Sequence, residues 1–224
     1  MGSQVAPLGS RAARGAAAIV SIVAWSALAL RFDVTLDRTG DAGAAVWAML
    51  RFFTIIANLF VALLFAGLAL GRSGAARPSL IGAATLAILL VGVVFNLLLR
   101  GLQPKGGIAL ASDLLMHSAT PLLVPLFWLA FAPKGRLRPG DPLRWAALPL
   151  VYFAYAEVRG GIEGRYPYFF MDPLKIGWGG VAVYALAMAA GFMAVGYALW
   201  GLDRRMGRPQ ARGAESNHSP SSAS

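Results

Sequence analysis

Long apolar runs separated by short basic connections constrain the fold of this 224-residue chain more than any other feature. A helix needs about 20 apolar residues to cross the hydrocarbon core of a bilayer. Six runs approach or exceed that length, at roughly residues 15 to 32, 47 to 70, 79 to 99, 108 to 132, 143 to 159 and 178 to 202, of which the fifth is the shortest. Because backbone polar groups find no water inside a bilayer, such runs fold as helices. The sequence predicts an all-α, polytopic membrane bundle of six transmembrane helices.

The overall composition argues against a soluble domain and against nucleic-acid binding. Charged residues make up 13% of the chain, whereas soluble domains contain about 25%. The net charge is +10, but the basic residues lie in the connections and the C-terminal tail rather than in a stripe interleaved with aromatic residues. The chain has no cysteine and two histidines, so we expect no disulfide, no thiolate nucleophile, no metal site and no cofactor.

The basic residues also predict the orientation of the bundle. With the N-terminus inside, the inner segments hold twelve of them, Arg11, Arg14, Arg72, Arg77, Lys134, Arg136, Arg138, Arg144, Arg204, Arg205, Arg208 and Arg212. The outer segments hold seven, Arg31, Arg38, Arg100, Lys105, Arg159, Arg165 and Lys175. This excess favours both termini in the cytoplasm. The expected organisation is a flexible N-terminus (1–14), a transmembrane domain (15–202) and a disordered basic, Ser-rich tail (203–224).

An alternative interpretation of the first run is a secretory signal. Arg11 and Arg14 precede the run, and Ala27 and Ala29 resemble a small-residue cleavage site. Cleavage there would leave five spans. The run is longer than a usual signal core before it meets a charge, which favours a retained helix.

His117 is the one histidine inside an apolar run, and Asp113 precedes it by four residues on the same helix face. Ionisable groups inside a membrane are costly and usually mark a functional site. Thr54 lies seven residues into the second run and His117 nine into the fourth. At 1.5 Å per residue these depths are about 10 and 14 Å. Both helices run inward in the predicted topology, so the two side chains are expected at similar depths in the outer half of the bilayer.

Other polar residues are predicted at the same level. Arg51 and Asn58 share a helix face with Thr54, while Asn96 and Glu157 lie near the outer ends of the third and fifth runs. Hydrogen bonds between helices are an alternative role for the two asparagines. Arg100 and Arg159 lie at span ends, where a long side chain can extend its charged group to the membrane surface.

Two local features suggest space beside His117. Pro121 and Pro125 remove backbone hydrogen bonds and predict a bend in the fourth helix. The connection before the last run contains Tyr166, Pro167 and Tyr168. These residues are typical of an aromatic belt at the headgroup level, and equally of a lid over a cavity.

Three stretches of this chain resemble one known family. They are RFFTIIANL in the second run, DLLMHSATPLLVP in the fourth and GRYPYFFMD in the last outer connection. In this order and spacing they resemble the androgen-induced and androgen-dependent six-span membrane hydrolases of animals and their bacterial six-span relatives. The resemblance covers roughly residues 45 to 200. It implies an integral protein of a bacterial plasma membrane.

The resemblance implies a threonine hydrolase in which Thr54 is the nucleophile and His117 the catalytic histidine. The animal members cleave fatty acid esters of hydroxy fatty acids, so membrane lipids or lipid esters are the implied partners. The chain departs from the animal motif at Leu114, where the family has a second histidine, and at Asp113, which replaces an amide.

The supporting residues then take expected roles. Asp113 would set the tautomer of His117, and Glu157 is a second possible partner for His117 or Arg51. Arg51, Asn58 and Asn96 are candidate donors to a developing oxyanion. Two other classes remain open: a small proton- or anion-coupled transporter, since such paths use intramembrane acids and histidine, and a non-catalytic membrane protein.

Overall fold

A computed structural model describes residues 8–101 and 106–207, which form helices and turns with no strand among them. In this part of the chain the α-helices are α1 (Arg11–Thr39), α2 (Ala42–Met49), α3 (Phe53–Ala69), α4 (Pro78–Val94), α5 (Gly107–Leu114), α6 (Thr120–Phe131), α7 (Asp141–Trp145), α8 (Ala147–Glu163) and α9 (Pro173–Met206). Two π-helical segments, π1 (Phe95–Leu99) and π2 (Leu115–Ala119), continue α4 and join α5 to α6. The all-α prediction is confirmed for these residues.

Four helical stretches are long and apolar enough to cross a membrane. They are α1, α4 with π1, the continuous α5–π2–α6 helix, and α9. The α2–α3 pair adds a fifth if its two bent halves are one span. These helices indicate a multi-pass membrane protein. The fifth predicted run corresponds to α7 and α8, and α8 has 17 residues.

The predicted flexible ends, 1–14 and 203–224, lie largely outside the described residues, which begin at 8 and end at 207. Residues 102–105, which include Lys105, lie outside them as well. Where the chain is described, helix extends beyond the predicted limits. The first helix begins at Arg11, capped by the Ser10 side chain, and α9 continues to Met206.

The second run is broken rather than continuous, which corrects the prediction of one helix over 47 to 70. Helix α2 ends at Met49, α3 begins at Phe53, and the two axes differ by 98°. Phe52 takes an extended conformation between them (φ −101°, ψ 131°). Arg51 therefore lies in the break and does not share a continuous helix face with Thr54 and Asn58. No proline or glycine marks this point, so residue periodicity alone does not reveal it.

Small residues bring α1 close to α3 and α5. Ala17, Ala24 and Ala27 are fully buried on α1, and their size permits the backbones to approach. The Ser21 hydroxyl donates to the Ala62 carbonyl oxygen across 3.0 Å, and the Ser112 hydroxyl donates to the Ala27 carbonyl oxygen across 3.1 Å. These bonds fix the second and fourth predicted runs against the first.

A glycine–proline contact joins α4 to the helix that carries His117. A methyl group on Gly92 would lie 2.9 Å from Cβ of Pro121, so only glycine permits this approach. Pro121 has no N–H for the carbonyl of His117, and the chain forms the wider turn π2 directly before it. Both the N–H and the hydroxyl of Thr120 donate hydrogen bonds to the Leu115 carbonyl oxygen. The missing N–H of Pro121 is thus accompanied by a π-helical turn, and a bend of this helix stays a prediction.

Candidate active site

Thr54 and His117 come together at the end of the bundle where α1 ends and α3 begins. Thr54 is the second residue of α3, directly after the helix break, and its side chain is buried. The hydroxyl oxygen Oγ1 lies 3.4 Å from Nε2 of His117. The two side chains are 63 positions apart in sequence and come from different helices. This separation lies at the long limit of a hydrogen bond.

Asp113 holds the other nitrogen of the imidazole ring. Nδ1 of His117 lies 3.1 Å from the Asp113 carbonyl oxygen and 3.2 Å from Oδ1 of its carboxylate. An N–H at Nδ1 donates to either acceptor, and that tautomer leaves the Nε2 lone pair directed at Thr54. The arrangement has the order acid, histidine, hydroxyl that defines a catalytic triad.

Two π-helical turns shape the wall around the histidine. Phe95, the first residue of π1, stacks on the His117 ring with centroids 3.9 Å apart and planes inclined by 14°. His117 is the central residue of π2. Such turns are rare and frequently lie at functional sites. Together they fix the imidazole in one plane.

A cavity of about 670 Å³ opens beside the pair. Thr54, His117, Asp113 and Asn96 contribute polar groups to its wall, and aromatic residues contribute much of the remainder. Three cationic side chains from three elements also line it, Arg31, Arg100 and Lys175. Asn96 donates to the Gly92 carbonyl oxygen across 2.8 Å and accepts from Arg100 across 3.2 Å. The volume falls in the range typical of small-molecule sites.

The connection between α8 and α9 forms part of the wall of this cavity. Tyr166, Pro167 and Tyr168 all line it, and the Tyr168 ring packs edge-on against Phe52. Burial raises the pKa of Tyr168, while interactions with the side chain and the N–H of Thr54 act in the opposite direction. The Tyr168 phenol is therefore neutral at physiological pH, and its oxygen interacts with the side chain and the N–H of Thr54.

Three predicted supporting residues lie outside the cavity wall. Asn58 is fully buried one turn further along α3 and donates to the Thr54 carbonyl oxygen across 2.9 Å, so it stabilises the helix and does not face the hydroxyl. Arg51 lies in the helix break and pairs with Glu163. Both carboxylate oxygens of Glu157 are buried and make no hydrogen bond, so Glu157 is not bonded to His117 or Arg51.

Glu163, which the sequence analysis did not single out, is the acidic partner of Arg51. It is the last residue of α8 and also accepts hydrogen bonds from Trp47 and Arg159. Its position four residues beyond the fifth apolar run is the one signal that could have indicated it. Phe95 was missed as well, because no sequence pattern marks a π-helical turn.

We expect Gly160→Ala to displace the connection between α8 and α9. A methyl group at Gly160 would lie 2.4 Å from the Tyr166 ring, whereas one at Gly161 would meet only the Tyr166 hydroxyl at 3.9 Å. The free energy of unfolding in detergent should fall by about 1–3 kcal/mol for Gly160→Ala, the usual cost of overpacking. Gly161→Ala is the matched control and should change it by much less. Equal effects of the two variants would show that Tyr166 does not pack on Gly160.

Comparison with known proteins found no matching family model, curated protein or solved structure. Among residues 8–101 and 106–207, no three histidine, aspartate or glutamate side chains gather as metal ligands would.

Proposed function

We propose that this protein is an intramembrane hydrolase of lipid esters in which Thr54 is the nucleophile and His117 the general base. The observation that carries the proposal is the 3.4 Å approach of Thr54 Oγ1 to His117 Nε2 beside a cavity of about 670 Å³. A threonine hydroxyl is a weak nucleophile until an adjacent base accepts its proton. The resemblance of the three motifs to the six-span threonine hydrolases supports the same assignment.

The first half-reaction forms an acyl-threonine. The Thr54 oxygen attacks the ester carbonyl carbon while Nε2 of His117 takes the hydroxyl proton. The tetrahedral intermediate then expels the alcohol, which leaves with the proton from His117. In the second half-reaction water attacks the acyl group, His117 again accepts the proton, and the free acid leaves with Thr54 regenerated. Asp113 stabilises the imidazolium that forms in each half.

The start of α3 supplies donors for the developing oxyanion. The first backbone bond of the helix runs from the N–H of Ile55 to the Phe52 carbonyl oxygen. The N–H groups of Phe53 and Thr54 precede it, in the first turn where a helix leaves donors for other partners, and both interact with the oxygen of the neutral Tyr168 hydroxyl. In the proposed reaction the ester oxygen displaces this hydroxyl and accepts from the two N–H groups. Donors of this kind are worth about 3 kcal/mol of barrier each, and they replace Arg51 and Asn58 in that role.

The proposal also includes the number of membrane spans, the side on which the termini lie and the depth of the site. We propose six spans with α8 as the fifth, both termini in the cytoplasm and the site in the outer half of a bacterial plasma membrane. Exposed apolar residues along the helices, such as Leu63, Leu97, Leu122, Leu150 and Leu186, support contact with lipid. Because the chain has no cysteine, single cysteines introduced at Arg38 and Arg136 report the orientation. Membrane-impermeant maleimide should label the first and not the second in intact cells.

The proposal is tested with purified protein in phospholipid vesicles. We expect release of free fatty acid from long-chain acyl esters, with an anionic ester preferred over a neutral one of equal chain length. The preference follows from the three cationic side chains at the cavity. Absence of ester hydrolysis, together with pH-dependent uptake of an anion into the vesicles, would instead support the transporter interpretation.

A further inference from the structure

The break between α2 and α3 determines where Thr54 points. Thr54 is two residues beyond Phe52, which caps α3 through its backbone alone, without a side-chain hydrogen bond. Residues 50–52 therefore need support from elsewhere in the molecule to hold the 98° bend. That support comes from α8.

Helix α8 holds Arg51 at both its backbone and its side chain. The Tyr152 hydroxyl donates to the Arg51 carbonyl oxygen across 2.9 Å, and the Arg51 guanidinium pairs with the Glu163 carboxylate. These two contacts are separated by three helical turns of α8. Arg51 is thus fixed at two points, three residues before the proposed nucleophile.

Glu163 is itself fixed by two further groups. Trp47 Nε1 donates to Oε1 across 2.9 Å and Arg159 Nε donates to the same oxygen across 2.8 Å. The Arg159 guanidinium is buried and lies 3.9 Å from the centre of the Trp47 ring, which is close enough for a cation–π interaction. Trp47 belongs to α2 and Arg51 to the break, so one carboxylate joins both sides of the bend to α8. We name Trp47, Arg51, Arg159 and Glu163 the bend cluster.

We propose that Glu163 is a positioning residue, which through Arg51 holds the first turn of α3 so that the Thr54 hydroxyl faces His117. This inference rests on the proposed role of Thr54. The Thr54–His117 separation of 3.4 Å lies at the long limit of a hydrogen bond, so a small rotation of α3 breaks the pairing. Displacements of about 1 Å in an active site can lower rates by about 10²-fold.

The test uses Thr54→Cys, because the chain has no cysteine of its own. Alkylation by iodoacetamide needs the thiolate, and a neighbouring histidine lowers the thiol pKa. The rate is measured against pH in four backgrounds: Thr54→Cys alone and with His117→Ala, Glu163→Gln or Asp33→Asn. Glutamine keeps the shape of Glu163 and removes its charge. Asp33 is an exposed carboxylate on α1 and is the matched control.

We expect Glu163→Gln to lower the alkylation rate at pH 7 by about tenfold, which is the effect of one pKa unit, and so to approach His117→Ala. The plateau rate at high pH should stay unchanged, because the thiol remains equally accessible. A merely loosened fold would raise the rate at every pH. Asp33→Asn should behave as Thr54→Cys alone.

Arg51→Gln provides an independent check. If Glu163 acts through Arg51, the combined Arg51→Gln and Glu163→Gln change should lower the rate no further than the larger single effect. A rate–pH profile for Glu163→Gln equal to that of Thr54→Cys alone would overturn the positioning role. A profile unaffected by His117→Ala would instead overturn the Thr54–His117 pairing itself, and with it the proposed function.

Discussion

Replacing Thr54 with alanine is expected to lower the rate of ester hydrolysis by at least about 10³-fold, because removal of a nucleophile leaves only binding and oxyanion stabilisation. The Thr54 hydroxyl oxygen lies 3.4 Å from Nε2 of His117. Loss of a hydroxyl from a buried site next to open cavity should leave the fold intact. The measurement is the initial rate of fatty acid release in vesicles, with the unfolding temperature recorded in parallel.

Two further variants sharpen this prediction. Thr54→Ser keeps the hydroxyl and should retain much of the activity. Thr85→Ala is the matched control, since Thr85 is also buried but donates to the Ile81 carbonyl oxygen of its own helix across 2.8 Å. It should hydrolyse esters at nearly the unsubstituted rate. Activity that survives in Thr54→Ala would exclude Thr54 as the nucleophile.

Replacing His117 with alanine is expected to lower hydrolysis by about 10²–10⁴-fold, the contribution typical of a positioned base. The loss should appear in kcat, because the imidazole accepts the hydroxyl proton in the transition state and contributes little to binding of the lipid. His218, the only other histidine, lies outside the described residues, and His218→Ala controls for the chemical change.

Added imidazole should partly restore the His117→Ala protein. The substitution leaves a slot beside Phe95, whose ring stacks on the imidazole at 3.9 Å, and the slot opens on the cavity. Restoration should grow with imidazole concentration and be absent from Thr54→Ala. If His117→Ala retains full activity, a different base serves the reaction.

The helical class and the central pair follow from elementary sequence patterns. Apolar runs of sufficient length predict helices, and a spacing of four predicts that Asp113 meets His117, as Nδ1 does at 3.2 Å. Similar depths on two helices of the same predicted direction placed Thr54 and His117 at one level, and the structure adds their approach to 3.4 Å. These inferences need only helix geometry.

The rest of the site depends on tertiary contacts that local patterns do not contain. The break at residues 50–52 carries no proline or glycine, and a carboxylate 112 positions away holds it. Continuous helical periodicity therefore placed Arg51 beside the hydroxyl, whereas it lies in the bend cluster. Likewise the π-helical turn Phe95–Leu99 contains no proline or glycine that would indicate it, and Glu163 lies beyond the apolar run, so hydropathy does not reveal its contacts.

The central claim is that Thr54 is the nucleophile, and covalent trapping tests it most directly. The protein in vesicles is treated with a long-chain alkyl fluorophosphonate, and the modified residue is located by peptide mass spectrometry. We predict a single phosphonyl adduct on Thr54, absent from Thr54→Ala and formed more slowly in His117→Ala. An adduct on another residue of the cavity, such as Ser118, or hydrolysis that continues with Thr54 unmodified, would contradict the account.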